Sequence, residues 1–378
     1  MEQQHQQDIV IVGGGLAGLC SAIHLSQSGK AVTVIEKGSY PRHKVCGEYV
    51  SNEVLPYLKF LGIDPFESGA VRIDELDFSI PSGESMHAKL PLGGFSLSRF
   101  TFDQILMEKA LLSGVTLLND TVVHITYEQD LFKIATKKDK LLEATFVIGA
   151  YGKRSVLDKK LHRRFIQKPA SYVAFKGHYK GAYPKHQVGL YNFEGGYCGV
   201  SNIEGEKLNL CYIVDSRVFK KYKRPELFEQ EVLLKNSQLK DIFDNSKLIF
   251  EKPLSISQIS FDSKPLVEDH ILMCGDSAGM IHPLCGNGMG MAIGGAQVVS
   301  KLILSYFNGK IKTRSELEKV YESTWNKTFK RRLLTGRALA ALLRSYKTSY
   351  LLMPLLRYFP FLLTGLIKST HGKPTFAT

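Results

Sequence analysis

The sequence predicts an α/β chain: a parallel sheet assembled from strands scattered along the sequence, an antiparallel-sheet domain inserted between them, and a basic helical C-terminal segment. Three observations carry this. Short apolar runs bounded by glycine turns recur near residues 9, 32, 116, 146 and 271, as buried parallel strands do. Between them, residues 171–215 hold short aromatic strands, Tyr172–Phe175, Val188–Phe193, Gly199–Asn202 and Leu208–Val214, which read as antiparallel. At 378 residues the chain also exceeds one ordinary core.

The first strand, Ile9 to Val12, runs directly into Gly13-x-Gly15-x-x-Gly18, and Leu16 to Ser28 follows with helical spacing. A second apolar strand, Ala31 to Ile35, ends on Glu36. Strand, glycine turn, helix, strand and acid in that order form a dinucleotide fingerprint of the Rossmann type. Gly13 permits the tight turn, Gly15 lets a pyrophosphate approach the backbone, and Gly18 lets helix and strand pack closely. Leu16 and Ala17 open the helix whose free N–H groups meet the phosphates. Glu36 stands where a carboxylate accepts the adenosine ribose hydroxyls.

Next comes a loop, Lys37 to Glu48, punctuated by Gly38, Pro41 and Gly47. Val50 to Leu61 reads as a short helix, residues 76–80 and 93–97 as strands, and Arg99 to Ser113 as a helix with Phe102, Ile105, Leu106 and Ala110 on its apolar stripe. Strands are expected at Val115–Leu118, Val122–Tyr127, Phe132–Thr136 and Thr145–Gly149, the last ending in a glycine turn at Gly152. A charged helix, Pro225 to Leu239, interrupts the aromatic strands. The final buried strand, His270–Cys274, precedes Gly275-Asp276 and a glycine-rich turn; a helix through Ala292–Phe307 and one or two more over residues 315–347 complete the pattern.

The net charge is +13, and it is concentrated. Residues 306–378 carry 14 Lys and Arg against three acids, with no Asp or Glu after Glu322. Lys330, Arg337 and Arg344 recur every seven residues, with Lys347 beyond, beside Leu333, Leu339 and Leu343. This is an amphipathic basic helix, and the apolar run 351–367 after it is broken by Pro354 and Pro360, which argues against one spanning helix. Two readings remain level: docking on an anionic membrane surface, or packing of the apolar faces on the inserted domain. No nucleic-acid recognition motif accompanies the charge. Met1 to Gln7 is polar, so no secretory signal is expected. The six cysteines show neither paired spacing nor neighbouring ligand histidines; a reducing cytoplasm is expected, with no disulfide framework and no metal site.

The chain resembles the FAD enzymes of the para-hydroxybenzoate hydroxylase fold. Gly13-x-Gly15-x-x-Gly18, Gly149-Ala150-x-Gly152-x-x-Ser155 and Gly275-Asp276 with Pro283 downstream recur in that family in this order. Within the fold, Pro41-x-x-Lys44-x-Cys46-Gly47-Glu48 and Gly275-Asp276-Ser277-Ala278-Gly279 are most similar to the geranylgeranyl reductase branch. The resemblance implies an FAD-binding domain of residues 1–70, 99–155 and 268–305, a substrate domain of 71–98 and 156–267, and a C-terminal segment of 306–378.

It also implies roles. Lys37, Lys44, Cys46 and Gly47 belong to a cofactor-facing loop, and Arg99 reaches the pyrophosphate. Val122 lies beside the adenine through backbone groups, and Asp276 accepts from the ribityl hydroxyls. Pro283, Gly286, Asn287, Gly288 and Met289 form a turn whose helix N-terminus points at the flavin N1–C2=O edge. Tyr151 stands where many hydroxylases carry an Asp that helps hold the pyrophosphate region and is tied to NADPH handling, a departure that argues against direct binding of NADPH; the electron donor expected is NAD(P)H or another reductant. Cys46 is either a proton donor, a modifier of flavin reactivity or a packed thiol, its pKa depressed by Lys44 and His43. Cys285 faces the same choice. His282 either touches the flavin edge or caps a turn, and His43 and Glu48 are further proton-relay candidates.

The activity implied is hydride reduction of a C=C bond in an apolar isoprenoid, lipid or polyketide-like substrate. One alternative is a flavin monooxygenase hydroxylating an aromatic or polyketide-like substrate; another is a non-catalytic flavoprotein partner at a membrane. Flavin halogenases share the fold, but their Trp-x-Trp-x-Ile-Pro signature is absent and Trp325 is the only tryptophan.

Overall fold

The computed structural model describes residues 7–167, 171–222, 224–344, 350, 354 and 358–374. Lys347 and most of the run 351–357 fall outside the described residues.

Two sheets organise the chain. In the first, the order along the sheet is Val267–Glu268, Ile271–Met273, Leu141–Gly149, Gln7–Val12, Val32–Glu36 and Thr116–Asn119. The central pairs are parallel, with Ile11 opposite both Val34 and Ile148. Ile9, Val10 and Ile11 are fully buried, which is why this strand reads as a continuous apolar run rather than an alternation. Val122–Glu128 and Leu131–Thr136 form an antiparallel hairpin on the edge of Leu141–Gly149. The five strands expected together are together.

The second sheet runs Lys247–Leu248, Tyr172–Lys180, Lys207–Asp215, Gly196–Ile203, Gln187–Phe193, Val71–Ser79, Ser85–Ser96 and Tyr49–Ser51, with Leu254–Ile259 also on Tyr172–Lys180. It departs from the expected antiparallel sheet in one place. Gln187–Phe193 pairs with Val71–Ser79 in parallel, because the chain returns to that strand from far along the sequence rather than through a hairpin.

Three elements differ from their sequence expectation. Val50 lies in a strand, and the helix starts only at Leu55, since Pro56 fits a first helical turn but not a helix interior. The charged helix breaks at Val232 and restarts at Ser237. There the buried Asn236 caps the new helix with its oxygen while its amide donates to the carbonyls of Ile80 and Asn192. The last helix of the nucleotide region begins at Gly288 rather than Ala292.

Helix Gly288–Phe307 packs against helix Leu16–Gln27 in the main core. Among the described residues it is the one helix long and apolar enough to cross a membrane, and 61% of that apolar window is buried in the protein. A single helix, Arg314–Arg344, follows and buries Leu317, Tyr321, Trp325, Phe329 and Leu333 against it. Helix Pro360–Thr370 then lies on Ser85–Ser96 and Arg314–Arg344.

Candidate FAD and substrate site

The ends of the parallel strands and one face of the second sheet enclose a cavity of about 780 Å³. At its nucleotide end the first turn is set by Gly13, at φ +107, where a side chain would collide with the Ala150 carbonyl. Gly18 does not line the cavity; it sits against the Gly13 carbonyl and lets the helix pack there. Gly15 precedes the helix without a side-chain cap, so the first N–H groups at Leu16 and Ala17 face an anion site. Glu36 closes the same corner. Its carboxylate accepts from the amides of Gly14 (2.7 Å) and Gly38 (2.9 Å) and from Arg42 (2.7 Å). Burial alone would raise its pKa, but Arg42 and the two amides hold it below the usual carboxylate range.

Cations line the adjoining wall. Arg99 forms a two-pronged pair with the fully buried Asp103 (2.8 and 2.9 Å), and Lys44 reaches the same carboxylate at 2.6 Å. Against the cost of burial, these two hold the Asp103 pKa below its ordinary value. Lys37, Lys153 and Arg154 also line the cavity.

The turns at Gly152 and Gly275 are stitched together by Ser277, whose hydroxyl accepts from the Gly152 N–H and donates to its carbonyl. Beneath them, fully buried Arg163 pairs with Asp158 at 2.8 Å and donates to the carbonyls of Pro265 and Ser277. Asp276 lines the cavity, and burial raises its pKa against the opposing pull of Lys264, Arg99 and Lys153. Pro283, Gly286, Gly288 and Met289 line the next stretch, ending at a helix start that no side chain caps. This set fits FAD: two uncapped helix N-termini and a glycine cradle face one continuous cavity that also presents cations for a pyrophosphate.

Not every predicted residue is there. Val122 is buried in the edge hairpin opposite Thr136, away from the cavity lining. Asn287 is buried behind the turn, where its amide donates to the Thr370 carbonyl at 2.7 Å. His282 turns from the cavity, accepts from the Leu284 N–H as a turn cap, and packs against Phe261 and Tyr172. Burial pushes its pKa down to about 4.

Cys46 lines the cavity with its thiol 3.7 Å from the Met289 sulfur. Its thiol is not acidified as expected. Lys44 is committed to Asp103, His43 packs on Phe100 and Phe250, and burial drives the Cys46 pKa up. Cys285 also lines the cavity and is pushed up to about 12 by burial.

Sequence reasoning missed the roof. Lys176 and His178 alternate with apolar neighbours on one face of Tyr172–Lys180 and both engage Glu48; the signal was a lysine and a histidine two apart inside an aromatic strand. Beyond Cys46 the cavity turns apolar, lined by Leu76, Phe78, Val188, Leu190 and Ile213 from the sheet and by Leu363, Leu366 and Ile367 from the C-terminal helix.

Fold and site together define a flavoprotein with a nucleotide end and an apolar chamber. The chain belongs to the FAD binding domain family, whose profile matches residues 6–327, and FAD is its cofactor. It is 26% identical over 353 residues to digeranylgeranylglycerophospholipid reductase 1 of Methanosphaera stadtmanae, an alignment covering 84% of this chain and 81% of that protein. It is 22% identical over 339 residues to tryptophan 2-halogenase of Chondromyces crocatus, covering 84% of this chain and 65% of that protein. Among solved structures, the flavin-dependent brominase Bmp2 superposes with a TM-score of 0.78 at 18% identity, covering 97% of this chain and 93% of that one. At that identity the likeness establishes the fold.

Proposed function

We propose that this FAD-dependent oxidoreductase reduces carbon–carbon double bonds in an apolar, isoprenoid-like or lipid, substrate. One observation carries the reading: the chamber beyond the flavin turn is walled by aliphatic and aromatic side chains from the sheet and the C-terminal helix. Apolar surface removed from water there contributes about 25 cal/mol per Å² to binding. Bound FAD supplies a two-electron couple that accepts electrons from NAD(P)H or another reductant and returns them as hydride to the substrate. The protein's part is to bind and orient. Asp276 takes the ribityl hydroxyls, Arg99 and the first glycine turn take the pyrophosphate, and the helix dipole at Gly288 favours negative charge on the reduced ring. The Leu-, Phe- and Ile-lined wall would exclude water and hold an apolar substrate.

The reductase relative supports this reading. The halogenase relative supports a second, oxygen-dependent modification of an aromatic substrate. Trp325 lends that reading nothing, because it is buried in the helical core against Phe329. The two separate in one experiment. Reduced, FAD-loaded protein is mixed anaerobically with a polyprenyl lipid; reoxidation of the flavin with a product two hydrogens richer supports the reductase. A flavin that stays reduced with every unsaturated lipid, while oxygen and a phenol or indole yield product, overturns it.

The C-terminal segment is proposed to bring the chamber to an anionic membrane. Supporting this, Tyr358 and Phe359 are exposed just before helix Pro360–Thr370, which itself exposes Phe361 and Lys368 while Leu363, Leu366 and Ile367 wall the chamber. Flotation with anionic vesicles, lost in Phe359→Ser/Phe361→Ser, is the expected result; equal flotation of both proteins rejects it.

A further inference from the structure

Three side chains that no cofactor contact requires converge beneath the Lys44–Glu48 loop. On strand Tyr172–Lys180, Ala174, Lys176 and His178 share one face. Ala174 lines the cavity, whereas Lys176 and His178 are nine-tenths or more buried. The Lys176 ammonium donates to one Glu48 oxygen and to the Lys44 carbonyl (3.1 Å), and His178 Nε2 meets the other Glu48 oxygen at 2.8 Å. On the neighbouring strand, Asn209 stands opposite His178 in register, and its amide donates to the Cys46 carbonyl at 3.2 Å.

From the other side, the Arg99 N–H donates to Glu48 Oε1 at 2.7 Å, and the Leu97 N–H to the Glu48 carbonyl. Glu48 itself sits at φ +57, an uncommon conformation for a residue with a side chain, held here by these buried contacts. A buried carboxylate with two basic partners from a strand distant in the sequence is costly to desolvate and stabilises little for its own sake. Its product here is placement: it ties the sheet that roofs the chamber to the one loop segment that carries Cys46 against Met289, at the flavin turn.

We propose that Glu48, Lys176 and His178 are positioning residues, a buried charge cluster through which the antiparallel sheet fixes the Lys44–Glu48 loop and its Cys46 thiol against the flavin-binding turn. This does not depend on which substrate the chamber takes.

The test uses full-length, FAD-loaded protein and the rate at which iodoacetamide alkylates each cysteine, read by mass spectrometry. Lys176→Met leaves Glu48 without its ammonium partner, and Cys46 alkylation rises roughly tenfold or more while buried Cys20, Cys198 and Cys274 do not change. The double variant Glu48→Gln/Lys176→Met removes both charges and returns the rate to within about threefold of the parent. His178→Gln, which keeps the ion pair, gives a smaller rise and decides the matter if Lys176→Met does not fold. Unchanged Cys46 alkylation in the single variants overturns the proposal. So does a rise shared equally by all cysteines, or a double variant no closer to the parent than the single.

Discussion

At the nucleotide end of the cavity the chain fixes position with backbone amides, glycine turns and buried ion pairs, whereas at the far end it does so with side chains from several strands and a C-terminal helix. Glu36, Ser277 and Arg163 each hold two or more partners around turns a few residues long. Leu190, Ile213 and Leu366, by contrast, meet only because two distant sheet strands and the last helix fold onto one space. The difference separates what must be invariant, a dinucleotide's phosphates and ribose, from what can be reshaped around a substrate. Directional hydrogen bonds suit the first and non-directional apolar packing the second.

The largest effect that would break this contrast is at Arg163. Arg163→Met leaves Asp158 buried without its partner and frees the Pro265 and Ser277 carbonyls, so urea unfolding should show a loss of about 3–5 kcal/mol. A loss no larger than that of an exposed arginine would mean that the buried pairs do not hold the nucleotide end. Asp276→Ala should come next: an intact fold, with FAD retention weakened by about 1.5–3 kcal/mol, the usual worth of a hydrogen bond to a charged group. A variant that purifies as yellow as the parent would misplace the ribityl contact.

Leu366→Ala sharpens the contrast from the opposite side. Lipid affinity should fall about tenfold with FAD retention unchanged, as expected for part of an apolar contact removed from a chamber wall. The smallest effect concerns pH. His282 is buried and neutral, its pKa pushed from 6.5 down to about 4. The unfolded chain therefore takes up a proton in that interval that the folded chain refuses, and stability falls as pH drops through it. His282→Gln should flatten that slope while leaving the flavin spectrum as it was, since the side chain faces away from the cavity.

The nucleotide end was legible because its chemistry is local. Gly13, Gly15 and Gly18 lie within one turn, so spacing carries their expected roles, while the place of Gly275-Asp276 came from the family resemblance. Arg99 was legible as a cation for the cofactor, but not that Asp103 would hold both it and Lys44, which disposed of the acidified Cys46. Val122 came from the family resemblance as a backbone contact to the adenine; its strand puts its side chain in a hairpin core, which bears on packing and not on that contact. The roof was illegible for a different reason. Strand register decides that Lys176 meets Glu48 across more than a hundred residues, and nothing local to either residue encodes it. The parallel pair between Gln187–Phe193 and Val71–Ser79 was hidden in the same way.

The most direct test of one site with two ends is a titration of the FAD-loaded protein with an isoprenoid lipid, followed through the visible absorbance of the flavin. The account predicts a saturable perturbation of that band with the flavin still bound, because the lipid fills the chamber against the ring. No perturbation at saturating lipid, or release of flavin as lipid binds, would contradict it.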